Sequence, residues 1–417
     1  MTAILLPLAA RPAAVVEVPG SKSVANRMLI CAALTSSSGL LGLPSGDDTE
    51  VLLAGLTRLG VEVSHDSSGR CVLNGFNEPK AGAVSCGLAG TTSRFLIALA
   101  ALGHDPITID GAPPLRRRPM VPLLDALRQL GASISDCDGA LPVTVTGAAK
   151  GGVVRLRGDV SSQFISALMM IGPRLASGIS IELTTDLVSK PYVEMTRHVM
   201  QLFGVDGVTM SDRFIRVEPG EYQGADLRIE PDASSASYPL AIAAVTGGTI
   251  QIPGLIAESL QGDSRIVEIL GRLGCKVTAT AEGTTVTGTG SGSIEPFDLE
   301  MGDISDLVPT LAVLATRAPS SCRIRGVGFI RAKESNRLNV LATQLSRLGP
   351  RVSESEDGLI IDPAPLHGAH LEVHDDHRMA MAFGVLSTVV PGISVDDPSV
   401  VSKSWPAYWE MIEGLRA

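Results

Sequence analysis

The chain has 417 residues, 45% hydrophobic and 19% charged, which is enough apolar material for two or three buried cores and excludes global disorder. Its 34 basic and 44 acidic side chains leave a net charge of −10, and it holds only 2 Trp, 4 Tyr and 8 Phe. A generic nucleic-acid binder would need a basic footprint or a base-stacking aromatic platform, so neither is expected.

In chain order, the opening MTAILLPLAARPAA is apolar, but no Lys or Arg precedes it and Pro7 interrupts it, so no secretory signal is expected. Two kinds of helix then alternate. One opens on small polar residues and is apolar nearly all round, as in SKSVANRMLICAAL, GTTSRFLIALAALG, SSQFISALMMIG, SSASYPLAIAAVTGG, SDLVPTLAVLA and DHRMAMAFGVLS. The other is amphipathic and closes on Gly before a short alternating strand, as in LLAGLTRLGVEV, LLDALRQLGASI, TRHVMQLFGV, IVEILGRLGCKV and VLATQLSRLGPRV. A weaker sixth copy is WPAYWEMIEGLRA. The closing glycines, Gly60, Gly131, Gly204, Gly274 and Gly349, are spaced by 71, 73, 70 and 75 residues and read as helix ends that need positive φ. Corresponding points of the apolar helices, Asn26, Thr92, Ser162, Ser235, Leu307 and His377, are spaced by 66, 70, 73, 72 and 70. Two independent features share one period, which predicts six α/β units, divided most simply into two domains of three. Residues 233–257 carry no charge, yet Pro239, Pro253 and a Gly-Gly pair predict helix, turn and strand there rather than a membrane span.

The polar residues at the starts of the apolar helices are unusual. Helix N-termini present free N–H groups and favour acidic side chains. This chain instead places Lys22 and Arg27, Arg94 and Arg378 at or near the first turns. Arg116, Arg117 and Arg118 precede Pro119, Lys333, Glu334 and Arg337 crowd RAKESNRL, and Lys403 precedes the last helix. Each alone reads as a solvated face; repeated at helix starts, they predict a multi-pronged site for a polyanion. The acids remain open on residues alone. Asp306 fits an ordinary N-cap, Glu334 fits a helical partner for Arg337, and Asp232 and Asp376 fit caps or orienting groups. His377 fits a packed histidine as well as a proton carrier. No P-loop or GxGxxG dinucleotide fingerprint occurs. Cysteines at 31, 71, 86, 137, 275 and 322 form no CxxC pair, so no zinc site or disulfide framework is expected and a reducing cytoplasm is.

In combination, PGSKSVANR, LAGTTSRF, RRRPM, SSQF, LVSKPYV, DASSASY, RAKESNRL, DDHRMAMAF and the late SK pair resemble the enolpyruvyl transferases, and among them the EPSP synthase family. They run in the family's order from residue 19 to 404. The resemblance implies an inside-out α/β barrel fold of two domains, each of three βαβαββ repeats. It divides the chain into 1–20 plus 230–417 and 21–229, with the active site in the interdomain cleft. The implied reaction is carboxyvinyl transfer from phosphoenolpyruvate to the 5-hydroxyl of shikimate 3-phosphate, releasing phosphate, with no metal or organic cofactor. It implies a monomeric, cytoplasmic enzyme with no nucleic-acid or membrane partner.

By the same resemblance Asp306 is the base at the 5-hydroxyl, Glu334 the proton carrier at C3, and Lys22 a bridge between the substrates and a possible proton donor. Phosphoenolpyruvate is expected on Lys22, Gly90, Arg118, Gln163, Arg337, Arg378 and Lys403. Shikimate 3-phosphate is expected on Lys22, Ser23, Arg27, Ser161, Ser162, Gln163, Ser189, Tyr192, Asp306 and Lys333. Four residues depart from the family's pattern: Leu88 and Phe329 stand where members often have Asn, Phe95 where Pro or Leu is frequent, and Asn336 where Asp is usual. Related enzymes acting on a nucleotide sugar carry a Cys or Asp in the loop represented here by PPLRRRPM, which has neither. A different cyclic alcohol as acceptor, or a non-catalytic anion-binding module, are the alternative readings, the latter weakened by the presence of Lys22, Asp306 and Glu334.

Overall fold

The computed structural model describes residues 3, 4, 6–256 and 258–416; Met1, Thr2, Leu5, Ala257 and Ala417, at the edges of the expected domains and of the uncharged 233–257 run, lie outside the described residues. By its own packing the chain divides into two compact units, 20–229 and 1–19 with 230–417.

Each unit is organised around three helices with almost no polar face. In 20–229 these are Lys22–Ala33, Gly90–Ala100 and Ser162–Ile171, each in contact with the other two. In the other unit they are Ala233–Thr246, Val308–Ala315 and His377–Ser387, again mutually in contact. Ala233 to Val245 is buried at every position, as are all residues of the latter two helices. A helix without a polar face must be enclosed on all sides, which explains why this set sits inside the sheets. Where a hydroxyl falls in the core it finds a partner: Ser237 Oγ and Thr310 Oγ1 lie 2.8 Å apart between two of these helices.

Of the six sheets counted among the described residues, five join a parallel strand pair to an antiparallel hairpin. For four of the six buried helices the strand before the helix runs parallel to the strand after it. Gly82–Ser85 and Ile107–Asp110 flank the Gly90–Ala100 helix and pair in parallel, with Val84 opposite Ile109. Ile107–Asp110 then pairs antiparallel with Ala140–Thr146, and that strand with Ser133–Cys137. A parallel pair requires a crossover, and here the buried helix supplies it. Each unit closes on itself with a distant strand. Asp226–Arg228 pairs in parallel with Ser38–Leu41, and Ala13–Val15 pairs in parallel with Thr249–Pro253. The sixth sheet has three strands, His370–Leu371, Ser394–Val395 and Ala3–Ile4.

The amphipathic helices cover the sheets from outside. All five repeat glycines, Gly60, Gly131, Gly204, Gly274 and Gly349, adopt φ between 79° and 119°, the left-handed turn that lets the chain leave the helix for its strand. The uncharged 233–257 run resolves into the Ala233–Thr246 helix, a left-handed Gly247 and the Thr249–Pro253 strand. Among the described residues no helix is long and apolar enough to cross a membrane.

Packing in the His377–Ser387 helix leaves no slack. A Cβ on Gly384 would stand 2.7 Å from Tyr408 Oη and 2.9 Å from its ring. Tyr408 is fully buried, donates its hydroxyl to the Met381 carbonyl at 2.6 Å, and meets Tyr238, Trp405 and Trp409 edge to face. Gly384→Ala gains about 1 kcal/mol of helix preference but overpacks a fixed ring at about 1–3 kcal/mol. The variant is therefore expected to melt below the wild type by differential scanning calorimetry, against its helix propensity.

Candidate active site

In the unit 20–229 the first turns of the three buried helices carry the polar residues. Ser21 caps the first, its Oγ accepting from Val24 N at 3.4 Å, and Lys22 follows as the first helical residue. Lys22 Nζ lies 3.1 Å from Oδ2 of Asp48, a buried carboxylate in the first turn of Asp47–Arg58. Thr92 Oγ1 donates to the Asp48 backbone oxygen at 3.3 Å, tying the second buried helix to the same point.

Gly90 opens that second helix, and a Cβ there would stand 2.5 Å from Arg118 Nη1. Arg118 therefore lies across a position that only glycine leaves open. Its neighbour Arg116 turns elsewhere, bound to Asp110 through Nε at 2.8 Å and Nη2 at 2.5 Å. Ser161 caps the third helix, accepting from Gln163 N at 3.3 Å, with Ser162 buried beside it. The Gln163 side-chain oxygen accepts from Arg94 Nη1, and the Arg94 guanidinium stands 5.0 Å from the Phe164 ring centroid. Ser189 precedes the Lys190–Leu202 helix at φ 54°, a left-handed conformation that is uncommon for serine and typical of functional turns.

Arg27 is the most enclosed of these residues, at 2% exposure. It donates from Nε to Thr196 Oγ1 at 2.7 Å, from Nη1 to the Ser23 carbonyl at 2.8 Å and from Nη2 to Ser166 Oγ at 3.1 Å. The rings of Phe95 and Tyr192 lie 5.6 and 5.8 Å from it. Burial lowers its pKa to about 10, opposed by Tyr192 and Cys31, so it stays charged at neutral pH. Here Arg27 fixes the Ser23 backbone and the Tyr192 ring, and Phe95 packs against it.

In the other unit the charged residues converge on Arg337, 1% exposed at the start of the Arg337–Ser346 helix. Its Nη1 donates to Asp306 Oδ1 at 3.0 Å, its Nη2 to Glu334 Oε2 at 2.9 Å, and its Nε to Asp376 Oδ2 at 2.8 Å. The second oxygens are also engaged: Arg378 Nη2 reaches Asp306 Oδ2 at 2.7 Å and Lys403 Nζ reaches Glu334 Oε1 at 3.0 Å. Lys333 Nζ stands 5.8 Å from the Phe329 ring centroid, a cation–π contact at a position where the sequence departs from the family's pattern. Asn336 caps the Arg337 helix, accepting from Asn339 N at 3.2 Å.

Asp306 does not act as the cap suggested by its position. It lies in the Ser305–Leu307 turn ahead of Val308–Ala315 and sends its carboxylate to two guanidiniums. Burial would raise its pKa, but the charges of Arg378, Lys333 and Arg337 overcome that and hold the carboxyl well below its ordinary range. Arg337 shows the converse: burial weakens its charge, and Asp376, Glu334 and Asp306 more than restore it. Removing one partner from so buried a pair costs about 3–5 kcal/mol.

Three buried carboxylates of the two units have no signal in the sequence beyond their local position. Asp48 reads as an acid complementing its helix dipole, Asp376 as a cap, and Asp263 as one polar residue in a turn. Their partners are 26 residues away for Asp48, 39 for Asp376 and 29 for Asp263, separations set only by folding. Asp263 is buried and accepts from Ser234 Oγ. Burial, and next the charge of Asp306, push its carboxyl up to about 7, with Ser234 and Arg378 opposing.

At acid pH the folded chain therefore keeps a proton on Asp263 that an unfolded carboxyl, near 3.8, has released. The stability this contributes is full below about pH 4 and is lost as pH rises toward 7. Between those values the wild type is expected to lose thermal stability relative to Asp263→Asn, which is neutral throughout; parallel melting curves across that range would exclude the raised carboxyl.

The EPSP synthase (3-phosphoshikimate 1-carboxyvinyltransferase) family model matches residues 9–412. Among relatives, the 3-phosphoshikimate 1-carboxyvinyltransferase of Nostoc sp. is 39% identical over 419 residues, 98% of both chains. That of Syntrophobacter fumaroxidans is 40% identical over 412 residues, 96% of both chains. Among solved structures, an EPSP synthase from Acinetobacter baumannii matches with a TM-score of 0.82 at 24% identity, over 99% of this chain and 98% of that one, a likeness of fold. A family match over nearly the whole length, relatives of about 40% identity and the same two-domain α/β architecture lead to one conclusion: the chain belongs to the EPSP synthase family.

Proposed function

We propose that the helix-start residues of 20–229 and the Arg337 cluster of the other unit act on one substrate pair. As a member of its family the chain is a transferase that moves the carboxyvinyl group of phosphoenolpyruvate to the 5-hydroxyl of shikimate 3-phosphate, yielding EPSP and phosphate. The observation that best supports these roles is the single buried guanidinium of Arg337 holding both Asp306 and Glu334.

In this reading Asp306 takes the proton of the 5-hydroxyl as that oxygen adds to C2 of phosphoenolpyruvate, and Glu334 delivers a proton to C3. The result is a tetrahedral ketal phosphate. Glu334 then removes a proton from C3 as phosphate leaves, and the departing phosphate takes up the proton that Asp306 accepted, so the vinyl ether is restored and both carboxyl groups return to their starting states. Lys22 bridges the two substrates and is a second candidate donor. Arg118, Arg378, Lys403 and Arg337, with Gln163 and the open backbone of Gly90, hold phosphoenolpyruvate. Ser23, Arg27, Ser161, Ser162, Gln163, Ser189, Tyr192 and Lys333 hold shikimate 3-phosphate, with Arg27 also bonded to the Ser23 carbonyl and set beside the Tyr192 ring. Planar guanidiniums suit carboxylate and phosphate, whereas Lys22, Lys333 and Lys403 act as compact charges. The reading takes the enzyme as a monomer of the cytoplasm; its six cysteines are free thiols, which fits a reducing compartment.

The charges also explain how Asp306 becomes a base. In the structure Arg378, Lys333 and Arg337 hold the proton affinity of Asp306 well below its ordinary range. Bound phosphate and carboxylate divert those cations, and burial, the largest influence on this carboxyl, is left less opposed. Substrate binding thereby raises the basicity of the group that must act on it.

Phosphate release is expected only when phosphoenolpyruvate and shikimate 3-phosphate are both present, with a vinyl-ether product by mass; release with neither acceptor nor product dependence would refute the acceptor. Because kcat/KM reports the free enzyme and kcat the complex, the acid limb of kcat is expected at higher pH than that of kcat/KM. Coincident limbs would exclude substrate-raised basicity. Gly90→Ala, by displacing Arg118, is expected to raise KM for phosphoenolpyruvate about 10-fold or more while KM for shikimate 3-phosphate changes little, since lost charge-assisted bonds are worth about 1.5–3 kcal/mol.

A further inference from the structure

Asp376 is the one carboxylate of the Arg337 cluster to which the reaction assigns nothing. It is fully buried, whereas Asp306 and Glu334 keep 17% and 16% of their side chains exposed. Four donors reach it: Arg337 Nε at 2.8 Å, Arg337 Nη2 at 3.4 Å, Ser335 Oγ at 3.0 Å and the backbone N–H of Arg378 at 3.0 Å. The last makes it the N-cap of the His377–Ser387 helix. Its neighbour His377 has Nδ1 3.8 Å from Oδ1.

These bonds come from three places that the reaction must hold in register. Arg337 begins one helix, Ser335 lies in the segment carrying Glu334, and Arg378 belongs to the first turn of another helix and reaches Asp306. A guanidinium is a rigid plane with donors on fixed axes. Fastening its Nε edge to a fully buried carboxylate leaves Nη1 and Nη2 aimed in set directions, and those two nitrogens hold Asp306 and Glu334. The geometry points to Asp376 as the positioning residue that sets the orientation of Arg337 and, through it, the separation of the Asp306 and Glu334 carboxylates. Asp376 touches no reacting atom; it acts through Arg337. The inference rests on the reading of Asp306 and Glu334 as the proton-transferring groups.

Asp376→Asn separates this role from capping, because Asn caps a helix as well as Asp does while lacking the charge. Wild type and variant are assayed side by side for phosphate release. The variant is expected to lose roughly 10- to 100-fold in kcat, the scale of a misplaced catalytic group, with KM for shikimate 3-phosphate within about 3-fold. A variant with a lower melting temperature but wild-type kcat overturns the positioning role and leaves the reaction intact. No turnover by the wild type refutes the reaction, and the positioning role is then judged by a measurement that needs none. In 15N-arginine spectra the Arg337 Nε–H, identified by its loss in Arg337→Lys, is expected to be strongly hydrogen-bonded and slow to exchange, and to shift and exchange faster in Asp376→Asn. An unchanged signal overturns the proposal. Should Asp376→Asn fail to fold, Ser335→Ala removes one bond to the same carboxylate and no charge. It is expected to lower kcat about 3-fold or more and to perturb the same Nε–H signal, and wild-type values for both overturn the proposal.

Discussion

A helix with no polar face has to be enclosed on every side, and this requirement organises both halves of the molecule. One βαβαββ repeat cannot enclose its apolar helix alone; three of them bring three such helices into mutual contact, with their sheets around them. Closure of each ring then requires a strand from far along the chain, Asp226–Arg228 in one unit and Ala13–Val15 in the other. The first residues of the chain thus pack with its second half because a parallel partner for Thr249–Pro253 is otherwise missing.

Burying these helices has a consequence for their ends. Their first turns emerge from the core with unsatisfied N–H groups, and the chain caps them with Ser21, Ser161, Asp232 and Asp376. Around the caps it places cations, which the positive helix ends disfavour and which therefore need anions nearby. The protein supplies them itself: Asp48 for Lys22, and Asp306, Glu334 and Asp376 for Arg337, Arg378 and Lys403. Two of these carboxylates, Asp306 and Glu334, are also the groups proposed to move protons.

The network is also asymmetric in a useful way. Arg337 is buried and fixed by three carboxylates, whereas Arg118 lies against the bare backbone of Gly90 and Lys22 keeps 16% of its side chain exposed. Arg337 thus holds three carboxylates in place, and in the proposed roles it shares phosphoenolpyruvate with the more accessible cations. Arg27 also helps to order its surroundings, through bonds to Thr196, Ser23 and Ser166 inside its own unit.

The repeat was legible in the sequence because its signals are local. Glycines after apolar helices, small polar residues before them and a common spacing near 70 each depend only on neighbours a few residues away, and the structure gives all five glycines positive φ. The concentration of cations at helix starts was legible for the same reason, and the ordered motifs then indicated the family. What tertiary structure decided was the pairing of charges. Asp306 resembles a cap until Arg337 and Arg378 arrive from 31 and 72 residues away, and nothing local distinguishes Asp376, a cap that also orients a guanidinium, from a cap alone. Local sequence determines which residues can start, stop and bury a helix; which carboxylate meets which cation depends on long-range closure, and that is where the chemistry is set.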